Sequence, residues 1–256
     1  MAKLAVATIA YNEAEYIRAC IKNWEGLVDK HLVLVTKKPW NGNPVEDDGT
    51  YRIAKESGAE TILGEWKTEA EQRSWGLARL YDYDYVLIVD ADELYLKEDQ
   101  LKIIKALNNP IDPSYTPAER LPAFRCARMV TYWKTPEYIL DPPDNHLPMI
   151  AVDPKQLYAF QHRNFKFMSN KREFVSYAPI IDVPCHHMSW AKSDAKVKEK
   201  IESFSHADSI RKSWYQNIWL NWKPGDETLV RAYGEEPSKA IYKPAPQEIL
   251  DLIEKT

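Results

Sequence analysis

The sequence predicts an α/β fold: a mainly parallel, mixed sheet flanked by helices, with a C-terminal helical and aromatic extension. Three observations carry the α/β part. Apolar runs of strand length alternate with segments of helical periodicity over residues 1–107. The runs at 4–10, 32–36 and 85–89 are almost uninterrupted, as in strands buried on both faces. The run at 85–89 then ends directly in Asp90-Ala-Asp92, at the strand edge where open α/β sheets bind ligands.

The elements follow in order. Strand 4–10 is followed by Tyr16, Ile17, Cys20, Ile21 and Trp24 at helical spacing. Strand 32–36 leads into a loop, 37–49, broken by Pro39, Gly42, Pro44 and Gly49. A helix over 50–57 stops at Gly58, a common C-terminal stop. A short strand at 61–63 precedes a helix marked by Ala70, Ser74, Leu77, Ala78 and Tyr81, and then comes strand 85–89. After Leu107 four prolines, Pro110, Pro113, Pro117 and Pro122, break the chain. Short strands are expected at 123–133, 149–152, 157–160 and 180–183, added to one side of the sheet. Val197, Ile201 and Phe204 mark a helix, and Pro246 opens a last one carrying Ile249, Leu250, Leu252 and Ile253. Three regions result: 1–107, then 108–190 in the same domain, and 191–256 as a C-terminal extension.

Composition narrows the class. The chain has 256 residues, 45% hydrophobic and 28% charged, which suits one large globular domain or two small ones and excludes long disorder. A net charge of −4 excludes a generic polyanion binder. No apolar run reaches the ~18 residues of a membrane helix, and the N-terminus reads as a strand, not a signal peptide. Three dispersed cysteines, Cys20, Cys126 and Cys185, fit a reducing compartment, so a cytoplasmic location is expected. Nine tryptophans either fill core or stack on a sugar or base; the stretch 214–222 could do either.

Four groups of residues could carry chemistry. Asp90 and Asp92, two apart in extended chain, project to one side and could share a cation such as Mg²⁺ or Mn²⁺; alternatively they cap the next helix. In Cys185-His-His-Met-Ser-Trp190 the adjacent histidines cannot face one point, so one could bind while the other packs. A nitrogen ligand beside carboxylates favours Mn²⁺. Asn12 and Glu13 sit where a strand ends and a helix begins, placed to cap the helix or touch a ligand. Lys37, Lys38, Arg73, Lys192 and Lys200 are candidate cations for an anionic leaving group. Neither a Gly-x-Gly-x-x-Gly nor a Walker A stretch occurs.

Together these parts resemble the GT-A fold glycosyltransferases of the family-2-like type. Ile9-Ala-Tyr-Asn-Glu13 resembles the family's opening motif, and Asp48-Gly-Thr50 its D-G-S/T. Glu71-Gln-Arg-Ser-Trp-Gly76 is similar to its A-R-N-x-G, with Arg73 on the arginine. Val89-Asp-Ala-Asp-Glu93 matches the D-x-D, and His187-Met-Ser-Trp190 with Lys200 and 203–206 resembles a downstream H-x-S-W and K-x-x-S-F-x-H pattern. The resemblance covers roughly 4–107 and 185–207, and it implies a GT-A, Rossmann-like sheet with 1–107 as the nucleotide-sugar-binding half and 108–190 as the acceptor side of the same domain.

The resemblance implies a metal-dependent transferase that moves a sugar from a nucleoside diphosphate sugar, UDP-linked, to an acceptor hydroxyl. Asp90, Asp92 and His187 would hold Mn²⁺ or Mg²⁺. Asn12, Glu13 and Asp48 would meet the nucleoside half, and Arg73 and Lys200 the diphosphate or sugar. An inverting enzyme needs a general base, and Asp144, in the Pro-flanked loop 141–146, is the candidate, ahead of Asp141, Asp153 and Asp182. The acceptor stays open among a saccharide, a lipid-linked saccharide, a protein and a modified nucleobase. Two other classes remain: a nucleotide-sugar or nucleic-acid binding protein without turnover, and a metal-dependent phosphatase. Phosphatases of the haloacid-dehalogenase type carry their D-x-D on the first strand, whereas here it ends the fourth.

Overall fold

The computed structural model describes residues 1–109, 121–143, 146–169, 173–175, 178–205, 207–233 and 237–255. Its N-terminal half runs β1 (Leu4–Ala10), α1 (Ile17–Asn23), β2 (Lys30–Thr36), α2 (Thr50–Glu56), β3 (Glu60–Gly64), α3 (Glu69–Arg79) and β4 (Tyr85–Ile88). β1 pairs in parallel with β2 on one side and β4 on the other, and β2 pairs in parallel with β3. These are the strands the apolar runs predict.

The alternation along β1 explains how both faces of the sheet are filled. Leu4 and Val6 pack with Tyr16, Cys20 and Trp24 on one face, joined by Ile103, Leu107 and Ile249. Ala5, Ala7 and Ile9 pack with Leu77 and Leu80 of α3 on the other. Gly76 lets α3 lie close to β2, because a Cβ there would sit 3.0 Å from the Leu34 side chain.

A two-residue strand, β5 (Glu93–Leu94), follows the Asp-x-Asp, and α4 (Lys97–Asn108) closes the half. The remainder adds β6 (Ala123–Trp133), β7 (Thr135–Asp141), β8 (Met149–Val152), β9 (Leu157–Gln161), β10 (Asn164–Phe167), β11 (Ile180–Trp190), α5 (Asp194–Ser203), β12 (Lys239–Tyr242) and α6 (Gln247–Glu254). The main sheet runs β12-β7-β6-β8-β4-β1-β2-β3, with β11 beside β6 and β5 beside β11. β8 enters antiparallel between β4 and β6, so the sheet turns from parallel to mixed at β4. β9 and β10 form a separate hairpin that packs on the α3 side.

Several elements exceed the sequence reading. The strand expected at 180–183 continues to Trp190, which places the two histidines on a strand. α4, β7, β10 and β12 have no counterpart in the apolar pattern. β12 is the edge strand and β7 the strand beside it, and in both alternation is diluted by exposed residues such as Thr135, Glu137 and Tyr242.

The aromatic stretch 214–222 packs inward. Trp214, Trp219 and Trp222 are buried against Trp133 and Trp190. Trp133 meets Trp219 edge-on with ring centroids 4.7 Å apart, and Trp214 at 5.9 Å, a favoured aromatic geometry. The Trp219 indole nitrogen donates to Asp194 at the start of α5. This cluster therefore fixes α5 against the sheet. Trp219→Ala should destabilise the protein by about 3–5 kcal/mol, the usual cost of emptying a large aromatic site. Urea unfolding followed by circular dichroism measures it, and a loss below 1 kcal/mol would contradict the packing role.

Candidate functional site

A cavity of about 500 Å³ opens where β1 and β4 end, within the size range of small-molecule sites. β1 stops at Ala10, and Asn12 then adopts a left-handed backbone, φ 50°, which asparagine tolerates better than most residues. β4 ends at Ile88 and delivers Asp90 and Asp92 to the same opening. His187 arrives at the end of β11, which pairs with β5 immediately after the Asp-x-Asp.

The floor is a set of buried charges. Arg73, 4% exposed, lies between Glu69 and Asp90. Its Nη2 donates to Glu69 Oε1 at 2.8 Å and to Asp90 Oδ2 at 2.9 Å. Arg163 is buried beside it. It donates to the Glu93 carboxylate, the Ile88 carbonyl and the Met149 carbonyl, and comes within 3.7 Å of Asp90. Burial works against the Arg163 charge, but Glu93 and Asp90 outweigh it and hold the proton more tightly than usual. Glu69 follows the same logic: burial disfavours its carboxylate, yet Arg73 and hydrogen bonds from His162 and Ser205 bring its pKa below the usual range.

The opposite wall is basic and comes from α5 and the turn before it. Lys200 Nζ donates to Asp92 Oδ2 at 2.9 Å, and Lys192 lies 3.9 Å from the same oxygen while binding Glu13. Lys196 donates to Asp48 at 2.8 Å. Asn12 donates to Glu199 at 2.7 Å. Burial would raise the Asp92 pKa, but Lys200, His187 and Lys192 hold it well below the carboxylate range. Burial also disfavours charge on Lys200 and His187, and in both the neighbouring Asp92 wins and raises the pKa. Glu13 goes the other way: its burial outweighs Lys192 and raises its pKa.

The adjacent histidines divide as strand geometry requires. His186 turns away from the cavity, stacks on Tyr132 and shares a 2.8 Å hydrogen bond with its hydroxyl. Burial pushes its pKa down to about 4. His187 lines the cavity with Nε2 3.5 Å from Asp92 Oδ1.

Of the residues chosen from sequence, Asn12, Glu13, Arg73, Asp90, Asp92, His187 and Lys200 line this one cavity. Asp48 does not. Its carboxylate is taken up by the Ala14 amide, Thr50 and Lys196, so it clamps the loop before α2 to the start of α1. Asp144 lies outside the described residues, as does His206. Asp141, Asp153 and Asp182 are not among the lining residues, and Lys38 pairs with Glu65 at the surface. Glu69, His162, Arg163, Lys196 and Glu199 line the cavity without having been singled out. Lys196, Glu199 and Lys200 share one face of α5 at i, i+3, i+4 spacing, a signal that could have found them. Arg163 and His162 carry no such signal, because a hairpin turn has no period.

Asp92 and His187 offer one carboxylate oxygen and one ring nitrogen side by side, and His187 Nδ1 is buried with no hydrogen-bond partner. That donor pair suits Mg²⁺ or Mn²⁺. Asp90 is turned to Arg73 instead, and among the described residues no group of three or more His, Cys, Asp or Glu could hold a metal. The residues fit a cation completed by ligand oxygens, not an all-protein site. Among the described residues no helix is long and apolar enough to cross a membrane.

Arg73→Ala would leave the Glu69 and Asp90 carboxylates without their buried partner, at an expected cost of about 3–5 kcal/mol. Differential scanning calorimetry at neutral pH measures it; a variant as stable as the parent would contradict the floor described above.

A comparison with protein-family models finds no match, and neither does one with curated proteins. Solved structures do align. Glucosyl-3-phosphoglycerate synthase from Mycobacterium tuberculosis, in complex with Mn²⁺, UDP and glucosyl-3-phosphoglycerate, is 20% identical, with a TM-score of 0.35. That alignment covers 52% of this chain and 44% of the synthase, so the chain spans less than half of its length. Another structure of the M. tuberculosis synthase aligns over 77% of this chain and 75% of its own, at 14% identity and a TM-score of 0.44. A putative glucose-1-phosphate thymidylyltransferase from Bacillus anthracis, in complex with a sucrose, is 9% identical, with 84% and 78% covered and a TM-score of 0.34.

Proposed function

We propose that the chain is a glycosyltransferase that moves a sugar from a nucleoside diphosphate sugar, UDP-linked, to an acceptor hydroxyl. What supports this reading most is that one cavity gathers Asp90, Asp92, Arg73, His187 and Lys200 from four separate segments of the chain. These are the residues on which the sequence resembles GT-A transferases. A site with lysines and an arginine on its walls and a carboxylate–imidazole pair on one side has the parts needed to hold a diphosphate.

In this reading Lys192 and Lys200 turn from Asp92 and Glu13 toward the phosphates of a bound donor, and Arg73 keeps the floor charged. Asn12 and Glu13, at the end of β1, meet the nucleoside half. Asp92 and His187 would hold Mn²⁺ or Mg²⁺, which when bound would supply positive charge to the diphosphate leaving group. The acceptor is a hydroxyl compound, with a saccharide, a lipid-linked saccharide, a protein and a modified nucleobase all compatible with the open side of the cavity.

Calorimetric titration with UDP tests the reading. UDP should bind at least tenfold more tightly with Mn²⁺ than with EDTA, and Asp92→Asn should remove that difference. Incubation with a panel of UDP-sugars and Mn²⁺ should release UDP slowly with water as acceptor. No UDP binding and no UDP release from any donor would overturn the reading.

A further inference from the structure

The loop between β2 and α2 carries one large aromatic among turn-forming residues, Pro39-Trp-Asn-Gly-Asn-Pro44. It is tied down at several points. The Lys37 amide donates to the Gly64 carbonyl at 2.9 Å, and the Val45 amide to the Tyr11 hydroxyl at 3.1 Å. Asn41 donates through its backbone to the Ser203 carbonyl and through its side chain to the Phe204 carbonyl, the latter at 2.7 Å. Gly42 permits this close approach to the end of α5. Its φ is 70°, and a Cβ there would run into the Glu202 carbonyl.

Trp40 lines the cavity between these ties. Its indole nitrogen donates to Gln72 Oε1 at 3.1 Å. Gln72 is fully buried on α3, and its amide nitrogen donates to the Leu34 carbonyl at 2.7 Å. A carbonyl accepts only from the nitrogen end of an amide, so the Gln72 oxygen must face Trp40. One edge of the indole is thereby fixed by a group whose own orientation is fixed. The ring also packs against the apolar cluster that contains Leu34 and Leu77. Trp190, Phe204 and Tyr233 line the same cavity but lean on one another. Trp40 stands outside their cluster, on the β2 side.

Position decides what such a ring meets. In the sheet order β4-β1-β2, Asp90 and Asp92 emerge just beyond β4, and Trp40 lies just beyond β2. Those strands are two spacings apart, roughly 10 Å, a span that a ribose and its phosphates bridge. β6, which carries Met129 and Thr131 of the cavity wall, lies on the other side of β4. A donor with its diphosphate at Asp92 and Lys200 therefore has its base toward Trp40 and its sugar toward β6.

We infer that Trp40 is the platform on which the base of the donor nucleotide stacks, an inference that rests on the glycosyltransferase reading. An indole face offers a flat base a matching π-face. The ring is fixed before the ligand arrives, so little side-chain freedom is lost on binding. What the platform recognises is the flatness of the base, independently of the cations that hold the phosphates.

The probes are UDP and 5,6-dihydro-UDP, titrated calorimetrically in the presence of Mn²⁺. Saturating the 5,6 bond keeps the carbonyls and the imide N–H of uracil but removes its flat π-system. The wild-type protein should bind UDP about tenfold or more tightly than the dihydro form, as the loss of one base–aromatic stack implies. Trp40→Leu, which keeps apolar bulk, should bind the two within about twofold of each other. Trp40→Phe, which keeps a π-face, should retain a preference of about threefold or more. The ratio is read within one protein, so a loosened loop that weakens both nucleotides alike does not imitate the effect. No preference in the wild type, an undiminished preference in Trp40→Leu, or a loss confined to UDP-sugar turnover with UDP binding intact would each overturn the assignment. A wild-type protein that binds neither nucleotide and releases UDP from no donor would instead remove the underlying reading.

Discussion

The ion pairing of Arg163 at the carboxyl end of β4 is the interaction on which the site depends. A buried guanidinium costs several kcal/mol unless every donor finds an acceptor. Arg163 meets that demand with the Glu93 carboxylate and the carbonyls of Ile88 and Met149. In doing so it joins β4, β5 and β8 to the β9–β10 turn. Arg73 repeats the device one layer out, between Glu69 and Asp90. The two guanidiniums leave the Asp-x-Asp little freedom. Asp90 is fixed from below by α3, and Asp92 is left facing the lysines of the opposite wall.

That opposite wall is held from behind by the aromatic cluster and tied to the site by charge. α5 buries Val197 and Ser203, and its other ties to the site are Lys196 to Asp48, Glu199 to Asn12 and Lys200 to Asp92. These lysines and carboxylates are largely buried, so each charge needs an opposite partner. On the proposed reading, a diphosphate in the cavity would offer Lys192 and Lys200 oxygens equivalent to those of Glu13 and Asp92. The lysines would then change partner without losing their compensation. The tryptophan cluster behind α5 keeps the helix in register while they do so.

Legibility in the sequence followed physical regularity. β1, β2 and β4 are buried on both faces, so their apolar runs mark them within a residue or so. β12 is an edge strand and β7 lies next to it, both with mixed exposure, and their pattern is lost among loop residues. The Asp-x-Asp and His187 were readable because a strand end and a strand face dictate where such side chains go. Asp48, expected at the nucleoside half, is not among the residues that line the cavity. A D-G-T segment before a helix is also a capping arrangement, and here Thr50, Ala14 and Lys196 exhaust the carboxylate. His162 and Arg163 could not be found, since their importance comes from what a hairpin turn touches across the fold and not from any spacing along the chain.

The topology explains why residues so far apart in sequence meet at one place. The chain leaves β1 for β2 and β3 on one side and returns to β4 on the other, so a crevice opens beyond β1 and β4, where ligands bind in open α/β sheets. β8 runs antiparallel to β4 and so begins at that crevice, and β9 carries the chain back to it, ending at His162. β6 runs antiparallel to β8, and therefore along β4, and β11 is parallel to β6. The last residues of β11, His187 to Trp190, must therefore emerge at the same edge as Asp92. Reversing β8 alone would send both His162 and His187 to the far edge of the sheet. The antiparallel insertion at β4 is thus what brings side chains from β4, β11 and the β9–β10 turn to one crevice.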